Sequence, residues 1–269
     1  MSLFICPVCR EPLTRGEKSY TCPNGHSYDL AKEGHTYLLL ANQKNSLQPG
    51  DDKAMARART IFLDKGYYAP LRNTLCQLLQ QQHPIAILDA GCGEGYYTAG
   101  IRQALPQAEM AGIDISKFCL QKGAKREKTV EFAVASSYHL PLADGSVDAI
   151  VNCFSPMATE EFARVLKPHG RLYYVVPGAE HLWALKQVLY DAPYLNEEKE
   201  TPYADFCSLG ITPVDFTMDI QGQEALQALL GMTPYAWKTP KDGKDRLSTM
   251  DALTVEASFR IHTFEKEDT

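Results

Sequence analysis

The chain has 269 residues, of which 45% are hydrophobic, and a formal net charge of −6 at pH 7, a composition typical of a globular protein and not of a uniformly basic one. This length accommodates one α/β domain of ordinary size with a smaller appendage. No stretch approaches the roughly 20 apolar residues of a membrane span, and the first residues lack the pattern of a signal peptide, so we expect a soluble cytoplasmic protein.

The first 40 residues contain four side chains at the spacing of a zinc site. Cys6 and Cys9 form a C-x2-C pair, Cys22 follows after twelve residues, and His26 follows after three more. The pair places two thiolates around one ion, a hairpin returns the third, and the imidazole completes a tetrahedral shell. Four protein ligands close the shell, so we expect structural zinc and no metal-activated water. Few large apolar residues are present, so zinc would supply much of the folding free energy of this module.

Three parts follow from the local patterns: a zinc-binding module at 1–40, a linker with helices at 41–80, and a larger domain at 81–269. Apolar and β-branched residues predict short strands in the module near 19–21 and 37–40. Residues 42–50 are rich in Asn, Gln, Ser, Pro and Gly, a composition typical of a linker. Apolar positions at helical spacing predict one helix from residue 51 and another over 70–81.

The larger domain alternates strands and helices. The pattern predicts strands at 85–88, 110–113, 130–134, 147–153 and 170–176 and helices at 96–104, 116–126 and 158–166. A helix over 180–190, a polar acidic insertion at 191–205 and strands near 213–220 and 254–264 complete the chain. This alternation predicts an α/β fold with a doubly wound, mainly parallel, Rossmann-like sheet, whose ligands bind beyond the carboxyl ends of the strands.

A glycine loop follows the first of these strands. Asp89 ends the strand, and Gly91, Gly93 and Gly95 follow with Glu94 between the last two. Glycines permit positive φ angles and a close approach of the backbone to a ligand. The spacing D-x-G-x-G-x-G departs from the dinucleotide fingerprint, and Glu94 would repel a pyrophosphate but suits a cationic sulfonium. The loop therefore favours S-adenosylmethionine over NAD.

Polar residues end the next three strands as well. Asp114 ends the second strand, where a carboxylate can accept hydrogen bonds from both ribose hydroxyls of a nucleoside cofactor. Ser136 and Asn152 end the third and fourth strands. Because parallel strands place their carboxyl ends at one edge of a sheet, we expect all three side chains to face the ligand.

Residues 80–180 resemble the class I S-adenosylmethionine-dependent methyltransferases, in the glycine loop, in the stretches 135–137 and 140–142, and in the turn 165–170 before the fifth strand. Ser136 stands where that family often has an acidic residue near the adenine. The resemblance therefore implies that adenine recognition at this position uses a hydroxyl or backbone groups.

Nearly the whole chain resembles the bacterial 23S rRNA guanine-N1 methyltransferases of the RlmA (RrmA) type. The matching stretches, in order, are 6–26, 31–34, 49–51, 62–71, 91–98, 177–182 and 232–237. The resemblance implies that the zinc module recognises a 23S rRNA stem-loop, that one guanine in the loop is methylated, and that the enzyme can be a homodimer. It also implies cofactor contacts from Tyr68 and His181, and it implies neither a membrane nor a DNA partner.

Guanine N1 carries a proton at neutral pH, so a base must remove this proton or the pocket must stabilise the anion. The sequence identifies no general base, and the catalytic residues stay unassigned. Asn152, Ser155 and Pro156 follow the fourth strand and are candidates for the target pocket. This segment lacks the Asn/Asp-Pro-Pro-aromatic motif of exocyclic-amine methyltransferases, and the chain lacks the Pro-Cys nucleophile of cytosine-C5 enzymes.

The acidic balance of the chain is the main objection to an RNA substrate. Residues 1–128 nevertheless carry 16 Lys and Arg against 12 Asp and Glu, whereas residues 129–269 carry 11 against 21. We expect a basic face from Arg10, Arg15, Lys18, Lys53, Arg57, Arg59 and Lys65. Two alternatives stay open: a small-molecule S-adenosylmethionine-dependent methyltransferase with a structural zinc module, and a zinc adaptor without catalytic activity.

Overall fold

The N-terminal module is a small antiparallel sheet formed by β1 (Thr14–Arg15), β2 (Ser19–Thr21) and β3 (Ser27–Asp29). The structure of the whole chain is a computed structural model, which describes residues 2–43, 50–198 and 202–268. The predicted linker at 42–50 and the acidic insertion at 191–205 therefore lie partly outside the described residues.

An eight-stranded sheet forms the centre of the molecule. Its strands are β4 (His35–Tyr37), β5 (Ala86–Ala90), β6 (Glu109–Asp114), β7 (Glu131–Val134), β8 (Val147–Cys153), β9 (Leu166–Pro177), β10 (Phe206–Gln221) and β11 (Ala252–Lys266). Their order is β4-β7-β6-β5-β8-β9-β11-β10. The first six run parallel to one another, and β11 pairs antiparallel with both of its neighbours, β9 and β10. The predicted mainly parallel α/β sheet is confirmed. The strand order reverses between β5 and β8, and such a switch point opens a crevice for ligands.

All but one of the helices assigned to a core below cover the same face of this sheet. The helices are α1 (Lys53–Asp64), α2 (Ala69–Gln82), α3 (Tyr96–Ala104), α4 (Lys117–Arg126), α5 (Thr159–Val165), α6 (Trp183–Leu189), α7 (Gln223–Gly231), α8 (Tyr235–Lys238) and α9 (Lys241–Ser248). Side chains of α1 to α4, α6, α7 and α9 share one core with alternate strand residues such as Ile87, whereas Phe162 of α5 packs with Leu88 on the opposite face. Among the described residues, no helix is long and apolar enough to cross a bilayer.

The zinc module covers part of the other face. The crossover at 135–146 between β7 and β8 contains no helix, although parallel crossovers usually contain one. Phe4, Leu13 and Tyr20 of the module are fully buried in the core of that face, and Phe4 pairs with Leu142 of the crossover. The module therefore shares a core with the larger domain, which its low apolar content did not indicate.

The strand expected near 37–40 differs from the one in the structure. β4 occupies His35–Tyr37 and pairs in parallel with β7, so it belongs to the central sheet and not to the zinc module. The backbone N–H of Leu38 also donates to the carbonyl of Val134. An edge strand leaves unpaired backbone groups, and β4 satisfies those of β7.

Candidate functional site

The four predicted metal ligands lie together between two turns of the N-terminal module. The ligand atoms of Cys6, Cys9, Cys22 and His26 all lie within 4.8 Å of one another. Cys9 Sγ is 3.7 Å from Cys22 Sγ, and His26 Nδ1 is 3.3 Å from Cys22 Sγ and 3.5 Å from Cys6 Sγ. Tetrahedral zinc requires about 3.8 Å between two sulfurs and about 3.6 Å between sulfur and nitrogen. The donor set and its spacing therefore fit zinc.

Tyr28 is hydrogen-bonded to one of these ligands, although nothing in the sequence pattern identifies it. Its hydroxyl donates to Cys6 Sγ at 3.0 Å. Burial opposes ionisation of the Cys6 thiol, but this hydrogen bond and those from the backbone of Cys9 and Val8 outweigh it and lower the pKa to about 6. A thiol that ionises near neutral pH binds metal readily, because the thiolate is the ligand.

The glycine loop lies at the switch point of the central sheet. Asp89 is fully buried and accepts a hydrogen bond of 2.5 Å from Thr98 Oγ1 on α3. Gly91 has a φ of +80°, and a Cβ at this position would lie 2.3 Å from Ser155 Oγ, beyond the end of β8. At Gly95, with φ +76°, a Cβ would lie 2.9 Å from Gly123 Cα. The loop is thus confined on both sides, and neither Gly91 nor Gly95 has room for a Cβ.

Asp114 at the end of β6 shapes the loop from the other side. Its Oδ2 accepts from the backbone N–H of Gly93 at 2.9 Å, and its Oδ1 accepts from that of Ser116 at 2.7 Å. Burial raises the pKa of this carboxyl, and these two hydrogen bonds act against the rise. Each carboxylate oxygen retains a further lone pair, so Asp114 can still accept from the two hydroxyls of a ribose.

Glu94 is buried, and its counter-ion is the partly exposed Arg59. Its Oε2 lies 3.7 Å from Arg59 Nη1, and Arg59 also pairs with Asp51. Burial raises the pKa of Glu94 to about 6 despite the cation. The expectation that Arg59 contributes to an exposed basic face is therefore wrong, because its guanidinium turns toward the glycine loop. Of the seven expected members, Arg10, Arg15, Lys18, Lys53, Arg57 and Lys65 are exposed.

Unsatisfied polar atoms concentrate at this site. Among the described residues, five buried side-chain atoms have no hydrogen-bond partner, and four of them belong to Glu94, Tyr96, Tyr97 and Asn152. Each such atom costs about 1–3 kcal/mol. Glu94 belongs to the glycine loop, Tyr96 and Tyr97 begin α3, and Asn152 lies near the end of β8. A polar ligand bound there would supply the missing hydrogen-bond partners. The residues therefore fit a nucleoside cofactor that carries an amino-acid tail.

Tyr68 and His181 contact each other beside the crevice. The backbone N–H of Ser258 donates to His181 Nδ1 at 3.3 Å, so the ring carries its proton on Nε2 and donates it to the Tyr68 hydroxyl, also at 3.3 Å. Burial, with a smaller effect from Lys186, lowers the pKa of His181 to about 3. His181 is therefore neutral and orients Tyr68, whose own hydroxyl proton stays available to a ligand.

The residues predicted beyond β7 and β8 lie at the same edge. Ser136 is buried, and its Oγ accepts from the backbone N–H of Tyr138 at 3.2 Å. Asn152 is fully buried, and its Nδ2 donates to the carbonyl of Pro156 at 3.1 Å. This bond fixes the amide, so the Oδ1 of Asn152 is a buried acceptor without a partner. Ser155 reaches the glycine loop, as described above.

The zinc module borders this edge of the sheet. The backbone N–H of Ile5 donates to the carbonyl of Pro141 at 2.9 Å. A groove separates the two parts and is lined by Ile5, Cys6, Pro7, Arg10, Gln43, His139, Leu140, Pro141 and Glu161. The metal ligand Cys6 therefore shares a groove with His139, whose backbone N–H donates to the carbonyl of Ser136 at 3.1 Å.

Known proteins combine the same two parts. The N-terminal zinc-ribbon family of RlmA matches residues 4–47, and a methyltransferase-domain family matches residues 87–170. A 23S rRNA (guanine(748)-N(1))-methyltransferase of Streptomyces fradiae is 30% identical over 270 residues and covers 95% of each chain. A Bacillus subtilis protein that is provisionally named a 23S rRNA (guanine-N(1)-)-methyltransferase is 34% identical, covering 97% of this chain and 96% of its own. The chain belongs to the RlmA-type family of 23S rRNA (guanine-N1)-methyltransferases.

Membership in the RlmA-type family establishes the two bound groups. The protein is an S-adenosylmethionine-dependent methyltransferase with a structural zinc ion, and both expectations are confirmed. The donor set at the N-terminus and the glycine loop at the switch point fit these groups, as shown above.

The protonation state of Asp89 affects the stability of this methyltransferase. Burial raises its pKa to about 7; the charges of Asp114 and Glu94 add to this effect, and the Thr98 hydrogen bond opposes it. The native protein then binds a proton that the unfolded chain, with a pKa near 4, has lost. The carboxyl therefore lowers stability progressively as pH rises from about 4 to 7.

We expect Asp89→Asn to stabilise the protein without cofactor by about 2–4 kcal/mol at pH 8 and by little at pH 4.5. The same change should weaken S-adenosylmethionine binding. Urea unfolding at both pH values measures the first effect and calorimetry the second. An equal stability change at both pH values would contradict the shifted ionisation.

Proposed function

We propose that this methyltransferase transfers a methyl group from S-adenosylmethionine to N1 of one guanine in a 23S rRNA hairpin loop. The observation that carries the proposal is the contact of the zinc module, through Ile5 and Pro141, with the crossover that begins beside Ser136. An RNA held by the module would reach the target pocket across the adjoining groove. The exposed residues Arg15 and Lys18 on the module suit phosphate contacts, whereas Arg10 pairs with Asp144 at 2.8 Å.

In this proposal the cofactor occupies the glycine loop. The backbone at Gly91, Gly93 and Gly95 approaches it closely, Asp114 accepts from the ribose, and Asp89 and Glu94 face its cationic end. Ser136 lies near the adenine, and Tyr68 donates to the amino-acid tail with His181 as its support. The contacts that support these assignments are those of Asp114 with Gly93 and of His181 with Tyr68.

The methyl transfer needs few groups from the protein. When bound, S-adenosylmethionine supplies an electrophilic methyl group. The N1–H bond would break with its proton passing to water, the electron pair left on N1 would form the bond to the methyl carbon, and the carbon–sulfur pair would stay on sulfur as S-adenosylhomocysteine leaves. The unpartnered Oδ1 of Asn152 would accept from the N–H groups on the Watson–Crick edge of guanine, while Ser155 and Pro156 shape the pocket. Adenine has no N–H at N1, so this acceptor favours guanine.

The resemblance further supports a homodimer in the cytoplasm, where ribosomes are assembled. Light scattering of the active protein tests the dimer, and a monomer with full activity would contradict it.

Purified zinc-containing protein should transfer labelled methyl groups to 23S rRNA from a strain that lacks the enzyme. We expect 1-methylguanine at one position, in intact rRNA and in a transcript of the matching hairpin. Free guanine nucleotides serve as the small-molecule control and should not be labelled. Labelling of a small acceptor without any RNA would contradict the proposal and support the alternative of a small-molecule methyltransferase.

A further inference from the structure

Phe154 adopts a backbone conformation that few bulky residues adopt. It directly follows β8 at the switch point, and its φ is +54°, in the left-handed region. This conformation costs free energy for any residue with a Cβ, and most for bulky ones. A hydrogen bond from its backbone N–H to the carbonyl of Val175, at 3.1 Å, holds the residue there.

Burial does not explain this conformation, because Phe154 is 46% exposed. One side of its ring packs on Tyr97 and Phe259, with centroid separations of 6.4 and 5.6 Å. Phe259 in turn contacts Tyr68 and His181 at 4.9 and 4.5 Å. Phe154 is therefore the outermost ring of a rigid aromatic cluster, and much of its surface faces solvent.

Its neighbours in the chain connect Phe154 to the reaction site. Ser155 is the residue whose Oγ occupies the space beside Gly91 of the glycine loop. Asn152, two residues earlier, has the buried acceptor without a partner. Phe154 therefore stands in the chain between the residue with the buried acceptor and the residue that borders the glycine loop.

We propose that Phe154 is the surface on which the target guanine stacks after it leaves the RNA helix or loop stack. This inference rests on the proposed function and adds to it a residue that binds the reacting base. Enzymes that modify a base hold it outside the stack, between aromatic or apolar side chains. The left-handed backbone turns the ring toward the crevice, and the cluster behind it keeps the ring fixed.

Three substitutions separate stacking from packing. Phe154→Ala removes the ring, Phe154→Leu keeps an apolar side chain without a ring, and Phe154→Tyr keeps the ring. We expect Ala and Leu to lower the single-turnover rate of hairpin methylation about 10- to 100-fold, the range of one lost base stack, and Tyr to stay within about threefold. Binding of S-adenosylmethionine should change less than about twofold in all three. Leu209→Ala is a matched control, because Leu209 is 47% exposed at the opposite edge of the sheet.

A second readout reports on the base itself. A hairpin with thienoguanosine, a fluorescent guanine analogue that keeps the N1–H, at the target position should be quenched on wild-type protein, where the base stacks on Phe154, and fluoresce more strongly on the Leu variant. Wild-type activity in Phe154→Leu, or a loss of cofactor affinity that parallels the loss of rate, would overturn the inference. Failure of the wild-type protein to methylate RNA would instead overturn the proposed function itself.

Discussion

Gly91→Ala is expected to abolish detectable binding of S-adenosylmethionine and, with it, methyl transfer. The new Cβ would lie 2.3 Å from Ser155 Oγ and 2.5 Å from Ser155 Cβ, and the backbone φ of +80° disfavours any side chain. Either Ser155 or the loop must then move, and both line the proposed cofactor site. We expect at least a 100-fold loss of affinity, or about 2.7 kcal/mol, by calorimetry.

The control is Gly145→Ala, which also has a positive φ, +56°, but no atom of the described residues within 4 Å of the added Cβ. This variant should lose only about 1 kcal/mol of stability and keep its cofactor affinity. The double variant Gly91→Ala/Ser155→Gly removes the clash and should recover part of the binding. Unchanged affinity in Gly91→Ala would show that the cofactor lies elsewhere.

Cys22→Ser is expected to release zinc and to eliminate methylation of rRNA. Structural zinc supplies on the order of 10 kcal/mol in small modules, but Phe4 and Tyr20 of this module also pack in the core of the central sheet. We therefore expect partial unfolding: a fall in melting temperature of roughly 10 °C, at least about 100-fold slower rRNA methylation, and cofactor affinity within about threefold. Metal analysis, calorimetry and hairpin methylation measure these effects.

Cys207→Ser is the matched control, since Cys207 is exposed on β10 and belongs to no metal cluster among the described residues. It should retain zinc and activity. Rapid rRNA methylation by zinc-free Cys22→Ser protein would contradict a role of the zinc module in RNA delivery.

Much of the sheet could be predicted from the sequence because its strands are buried and apolar. The predicted strand 147–153 matches β8, and the helix predicted at 96–104 matches α3. Elements with mixed burial were harder to predict. The short helices α7, α8 and α9 were missed, since Pro and Gly interrupt the segment 222–243 and the helices are stabilised by packing against α1, α6, one another and the sheet.

In the candidate site, too, the residues marked by a local sequence pattern could be predicted, whereas contacts between distant segments could not. Ligand spacing alone placed four metal side chains that lie together, and strand ends placed Asp89, Asp114 and Asn152 at one edge. Contacts between distant segments have no such local signal. Arg59 lies on α1, 35 residues before Glu94, and nothing in its own helix marks it as the counter-ion of Glu94. Phe154 was equally hidden, because a left-handed backbone at a phenylalanine has no sequence signature.

The most direct test of the central claim is the methylation state of 23S rRNA in cells. Mass spectrometry of rRNA from a deletion strain should show the loss of one 1-methylguanine, which the wild-type gene restores and the Gly91→Ala gene does not. An unchanged set of methylated guanines in the deletion strain, or full restoration by Gly91→Ala, would contradict the account.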